Sequence, residues 1–292
     1  VTSTDPILVA GVNRPLGAYI ALDLAGRGLK VVGTRRHPDV DLDARMQAAG
    51  IELAPLDLTD LTAISALAPQ LSSVILTPIL SISGPAARAF HAGGVRRGVV
   101  FSSNNVAIVG EDPVYDRLRA AEADVLENAP GWAILRPTMI YGYPGDGNLS
   151  RLLRMLARLP VFPRLGSGEA SQQPIHFEDL ARLAAALVTG EWNAAGLLAV
   201  GGPQILSHRE LIATARRATG RGGIDLPVPL GPVRAVVSLL TGLGIKLPLS
   251  PAQLARIDLD KAAVNPADIP AVLRPQVMPE EGLTRLALDL DI

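Results

Sequence analysis

The sequence predicts an α/β fold, a doubly wound parallel sheet followed by a smaller C-terminal substrate lobe, and three observations carry that expectation. From Pro6 to about Thr138, short β-branched and aliphatic runs alternate with longer segments of helical spacing, as repeated βαβ units do. The first of these units joins strand to helix through a glycine turn, Gly11 to Gly17. Beyond Gly142 the alternation stops, and Gly/Pro-rich connections with isolated helices replace it.

In chain order, strands are expected at "ILVAG", "KVVGTR", "IELAPLD", "SVILT", "RGVVFSS" and "WAILRP". Helices are expected between them at roughly 16–27, 60–68, 84–93 and 113–128. One further strand-like run, "LLAVGG", returns from the later chain. The core is therefore assigned to 1–142 plus that return, and 143–292 mainly to the lobe, packed where open α/β sheets bind ligands, at the carboxyl ends of the strands. The apolar stretch "GPVRAVVSLLTGLGI" reads as a buried helix of the lobe. A membrane-surface helix would be longer and carry more positive charge.

Composition narrows the function classes. With 292 residues, 48% hydrophobic and 19% charged, the chain can bury one large core with a smaller companion. A net charge of −1 lacks the basic footprint that nucleic acid requires. No apolar run approaches the roughly 18 residues of a membrane span, and no basic-then-apolar leader opens the sequence, so a cytoplasmic protein is expected. There is no cysteine, and His37, His91, His176 and His208 are too scattered for a metal cluster. The partner expected is a small-molecule substrate, in a monomer or homodimer.

The turn "LVAGVNRPLGAYIALDLAGRG" has the context of a dinucleotide site, in which backbone amides approach a pyrophosphate at the head of a helix. Its middle glycine is missing. In a G-x-x-G-x-x-G reading Arg14 replaces it, and in a G-x-x-x-G-x-G reading Pro15 does. Pro15 suits a first helical residue, whose N–H has no intrahelical partner in any case. An ordinary strand-to-helix turn that binds nothing is the plain alternative.

With "PLDLTD", "VVFSSNN", "GWAILRPTMIYG", "QQPIHFEDLARLAAALV" and "LLAVGGPQILSHRELIATARRATG" added to the turn, the chain resembles the short-chain dehydrogenases/reductases of the extended or atypical, epimerase/dehydratase-like branch, over nearly its whole length. The resemblance implies a Rossmann core and a nicotinamide cofactor contacted at Gly11, Asn13, Arg14, Pro15, Leu16, Gly17, Asp57, Leu58, Thr77, Pro137 and Thr138. A carboxylate at the end of the second strand suits NAD, whereas arginine there suits the extra phosphate of NADP. This chain has "GTRRHPD", with no acid before Asp39, so Arg35, Arg36 and Arg14 point to NADP(H) over NAD(H). The plain alternative is that these arginines are solvated surface charges.

The family's chemistry uses a tyrosine that exchanges a proton with a substrate oxygen and a lysine four residues on, neighbours on one helical face. "PVYDRLRAAE" offers Tyr115 and Arg119, and an arginine does not reproduce a lysine. Lys30, Lys246 and Lys261 are all distant in sequence. A second register, anchored on Glu122, places Val114 and Leu118 in the two positions and leaves no catalytic pair. Ser102 and Ser103 fall where the resemblance puts substrate-orienting serines. Asn104, Asn105, Tyr141 and Gln173 are candidates to line the same cleft, although serines and asparagines after a strand also serve as turn residues and caps. His176 reads as either a proton carrier or a hydrogen-bonding residue at the lobe interface. Arg136 reads as structural.

Three readings follow from these residues. The chain is an NADP(H)-dependent oxidoreductase on a small carbonyl, hydroxyl or sugar-nucleotide-like substrate; a non-redox catalyst of epimerase, lyase or cyclase type; or a non-catalytic NADP(H)-binding protein.

Overall fold

A computed structural model describes residues 5–110, 112–242, 254, 256–261, 264–265 and 268–292. The chain divides into two compact units, Val1–Pro137 with Phe177–Val200 and Pro266–Arg274, and Thr138–His176 with Gly201–Asn265 and Pro275–Ile292.

The first unit is built on β1 (Ile7–Ala10), β2 (Val31–Arg35), β3 (Glu52–Pro55), β4 (Ser73–Ile79), β5 (Gly98–Phe101) and β6 (Ala133–Pro137), with the strand Gly196–Val200 completing a seven-stranded sheet. Every pairing is parallel, and the spatial order is Gly196–Val200, β6, β5, β4, β1, β2, β3. Wholly buried runs such as "ILVA" and "GVVF" need cover on both faces, as parallel sheets do. Helices α1 (Pro15–Gly26) and α8 (Phe177–Thr189) pack together on one side. On the other, α3 (Leu61–Leu67), α4 (Leu80–Ala92) and α6 (Pro113–Asn128) close over a core that includes Leu8, Leu76, Phe90, Val100 and Trp132. Gly98 makes room for that tryptophan: an added Cβ there would lie 2.5 Å from the indole ring. The chain order reverses between β1 and β4, which opens the crevice where sheets of this class bind ligands.

The strand expectations hold in order. Two helices escape them, α2 (Val40–Ala48) and the single turn α5 (Asn105–Ile108). Only Met46 of α2 is buried, so the helix carries almost no apolar periodicity, and its signal is the Asp39 side chain accepting from Leu42 N as an N-cap. Helix α4 begins at Leu80, before the expected 84, with Pro85 inside it.

The second unit packs α7 (Leu149–Arg158), α9 (His208–Ala218) and the helix Pro279–Asp289 around Leu153, Leu211, Leu283 and Leu286. Ser207 and Glu210 form a reciprocal capping box at the start of α9. The expected buried helix in "GPVRAVVSLLTGLGI" needs correction. A helix does run over Leu230–Gly242, but of its side chains only Leu230 and Val237 are buried, and Val236 and Leu239 face outward, because one stripe of the apolar run reaches a core and the rest exceeds it. The remainder of that stretch, and Lys246, lie outside the described residues. No helix among the described residues is long and apolar enough to cross a membrane.

Candidate active site

The turn after β1 is shaped by its glycines. Gly11 has φ +83°, and an added Cβ would lie 2.4 Å from Thr77 Oγ1, whose hydroxyl donates to Ala10 O at 2.7 Å. A Cβ on Gly17 would lie 2.4 Å from Gly11 O, so the head of α1 presses directly on the turn. These are two of the three glycine roles in a dinucleotide turn, the tight bend and the close helix–strand packing. At the third position Arg14 is the N-cap, in extended conformation and exposed, and its side chain caps nothing, while Pro15 opens the helix. Helix α1 therefore presents an N-terminus without a side-chain cap at the switch point between β1 and β4. Asn13 and Leu16 are half-buried beside it.

Beyond β2 the two arginines differ. Arg35 forms an ion pair with Asp43, both mostly buried, and Arg36 is exposed. Asp43 lies in the helix that the sequence pattern does not announce, which is why this acid is missed in "GTRRHPD". The Asp57 carboxylate accepts from Thr59 N at 2.9 Å and Thr59 Oγ1 at 2.8 Å. Those bonds, with Arg36 nearby, hold its pKa below the usual carboxylate value. Leu58 is buried in the core.

After β5 the candidate catalytic residues meet α6. Ser102 donates to Glu122 Oε1 at 2.6 Å, and Arg136 Nε donates to the same oxygen at 2.8 Å while its Nη2 binds Glu122 Oε2 at 2.5 Å. Glu122 is 3% exposed. The carboxylate raises the Arg136 pKa, so the guanidinium stays charged. Ser103 Oγ accepts from Asn105 N at 3.2 Å, and Asn105 Nδ2 donates to Tyr115 Oη at 3.0 Å. Tyr115 thus faces the β5–α5 segment, whereas Val114 is exposed and Leu118 lies in the core. Arg119, one turn on, donates to the carbonyls of Val106, Val109 and Gly110 and pairs with Asp116, which ties α5 to α6. Asn104 is 3% exposed, caps nothing, and its Nδ2 has no hydrogen-bond partner. Pro137 O receives Asn104 N at 2.9 Å, joining the ends of β5 and β6.

The other candidates belong to the second unit. Thr138 donates to Gln173 O. The Gln173 Nε2 donates to Gly202 O at 3.0 Å and Val264 O at 3.3 Å, and its Oε1 accepts from Val264 N at 3.4 Å, so the amide stitches three segments together. Tyr141 is fully buried in the unit's core, edge-on to His176 with ring centroids 5.2 Å apart. Gly142 leaves the space that the His176 ring fills, since an added Cβ would lie 2.3 Å from Nε2. Burial, aided by the Arg285 charge, lowers the His176 pKa to about 4, so the ring is neutral at pH 7. Among the described residues no group of histidines and acids is placed to hold a metal ion.

No family model matches the chain. An uncharacterized protein, y4nG of Sinorhizobium fredii (strain NBRC 101917 / NGR234), is 28% identical over 119 residues, 41% of this chain and 29% of that protein, so the match spans under a third of the relative's length. Among solved structures, UDP-glucuronic acid 4-epimerase from Bacillus cereus with UDP-glucuronic acid and NAD superposes with TM-score 0.72 at 15% identity, covering 98% of this chain and 99% of that one. Citrobacter sp. triphenylmethane reductase complexed with NADP(H) gives TM-score 0.73 at 15% identity, with coverage of 96% and 99%. UDP-glucose 4-epimerase from Thermotoga maritima with UDP-glucose gives 0.70 at 15% identity, covering 98% of each chain. The fold is therefore the one that these two epimerases and the reductase share.

Proposed function

We propose that the chain binds a nicotinamide dinucleotide on the Gly11–Gly17 turn, with NADP(H) preferred, and acts as a reductase of a small carbonyl or related substrate. The observation that carries this reading is the uncapped N-terminus of α1, pressed against a turn that tolerates no side chain at Gly11 or Gly17, at the point where the sheet reverses direction. Structures of like fold bound to NAD or NADP(H) support the cofactor class. Arg14 and Arg36, both exposed, supply the positive charge for a 2′-phosphate, and Arg35 holds its neighbour Asp43 away from it.

A bound nicotinamide would supply hydride chemistry. The chain's own part is proton delivery, in which the Tyr115 phenol donates to the substrate oxygen as negative charge develops there. Asn105 Nδ2, donating to Tyr115 Oη, orients the ring.

Two observations favour a second reading, binding without redox turnover. Arg119 is committed to backbone carbonyls, and the Ser102 hydroxyl to Glu122. Calorimetric titration with NADPH and NADH tests the cofactor assignment: tenfold tighter NADPH, about 1.4 kcal/mol, supports it, and equal affinity or no binding removes it. NADPH consumption against a panel of aldehydes, ketones and quinones then separates the reductase from the binding protein.

A further inference from the structure

The amino ends of the strands, at the opposite edge of the sheet from the glycine turn, also carry cavities. One of about 430 Å³ is lined by Lys30 just ahead of β2, Ser72 and Ser73 at the start of β4, Arg96 and Arg97 just ahead of β5, and Thr189 at the end of α8. A second, of about 420 Å³, lies ahead of β5, β6 and the strand Gly196–Val200, and Arg96 and Arg97 line it as well. The strand order makes these neighbours along one edge, with the two arginines as the wall they share.

Three cations face the first cavity, and Asp5 is the one carboxylate among its lining residues. In a chain of net charge −1 this is a local concentration of positive potential. Two of the cations are also positioned. Gly190, at φ +87°, leaves room for the Arg97 guanidinium, because a Cβ there would lie 2.5 Å from Nη1. Arg96 Nη1 lies 3.0 Å from the His91 ring. Burial and the Arg96 charge lower the pKa of that ring, so a neutral imidazole meets the guanidinium. A guanidinium has five N–H donors, of which this contact occupies one.

We propose that this cavity binds a small phosphate-bearing anion through Lys30, Arg96 and Arg97. Its volume falls in the range of about 300–1,000 Å³ typical of small-molecule sites, which suits a diphosphate or phosphate ester better than orthophosphate. Along the four residues of β1, roughly 13 Å separate it from the dinucleotide turn, so the two occupants do not share groups.

The test is calorimetric titration of the whole chain with inorganic pyrophosphate, AMP and orthophosphate in saturating NADPH, which fills the dinucleotide turn that these probes could otherwise enter. The expected result is saturable 1:1 binding of pyrophosphate or AMP, tighter than orthophosphate, with the turn so occupied. Arg97→Gln and Lys30→Gln should each weaken it at least tenfold. Lys30 is exposed, so Lys30→Gln remains informative if Arg97→Gln fails to fold. Absence of binding at millimolar ligand in the presence of NADPH, or equal affinity in Lys30→Gln, would each overturn the proposal. None of these outcomes depends on whether the chain is a reductase.

Discussion

Replacing Glu122 with glutamine should be among the most destabilising single changes in the first unit. The side chain is 3% exposed, and its two carboxylate oxygens take bonds from Arg136 Nε, Arg136 Nη2 and Ser102 Oγ between 2.5 and 2.8 Å. Glutamine keeps the volume but loses the charge, and its amide nitrogen faces donors that need an acceptor. Arg136, with only 20% of its side chain exposed, becomes an uncompensated buried cation. Removing one partner of a buried pair costs about 3–5 kcal/mol. At about 2–4 °C per kcal/mol for a domain of this size class, Tm falls by roughly 6–20 °C. Ser102→Ala removes one charge-assisted bond and should cost about 1.5–3 kcal/mol. Urea unfolding of both single variants and of the double variant measures this, and the double variant should lose less than the sum, because the groups share one network. A loss below about 1 kcal/mol for Glu122→Gln, or strict additivity with Ser102→Ala, would refute the reasoning and mean that water already serves Arg136.

Three further outcomes are expected. Tyr115→Phe removes one oxygen and should lower turnover of any reducible substrate about a hundredfold while leaving NADPH affinity within about twofold; turnover within about threefold of wild type ends the tyrosine mechanism. His176, whose pKa falls from 6.5 unfolded to about 4 folded, contributes stability that is full above pH 6.5 and is lost as pH falls toward 4, about 3 kcal/mol in all. Unfolding free energies at pH 7 and 4.5 should therefore differ less in His176→Gln than in wild type, and equal acid slopes would count against the assignment. Gly17→Ala sets a Cβ 2.4 Å from Gly11 O, so the head of α1 must move, and NADPH affinity should drop at least tenfold on titration; unaltered affinity would place the cofactor elsewhere.

The sheet is legible in the sequence because each strand is a short apolar run bounded by turn residues, and βαβ units impose both direction and order. Helix α2 is not legible, since "VDLDARMQA" buries only Met46 and its identity rests on the Asp39 cap. The Leu230–Gly242 helix misleads for the opposite reason, as an apolar run long enough to suggest burial places only one stripe against a core. At the candidate site, residue types and their spacing identify the turn, the arginines and Tyr115. They do not reveal how those side chains are engaged. Ser102 and Glu122 are twenty positions apart in the chain, Gln173 and Val264 ninety-one, and only the folded backbone brings each pair together. The separation of Arg35 from Arg36 likewise depends on Asp43, supplied by the helix that carries no apolar signal.

The central claim, that a turn without its middle glycine still seats a dinucleotide, is tested most directly by a crystal structure of the chain grown with NADPH. The account predicts density for the pyrophosphate at the N-terminus of α1, within hydrogen-bond distance of the Leu16 or Gly17 amide, and a 2′-phosphate beside Arg14 or Arg36. A pyrophosphate bound elsewhere, or a turn that stays empty at saturating NADPH, would contradict it.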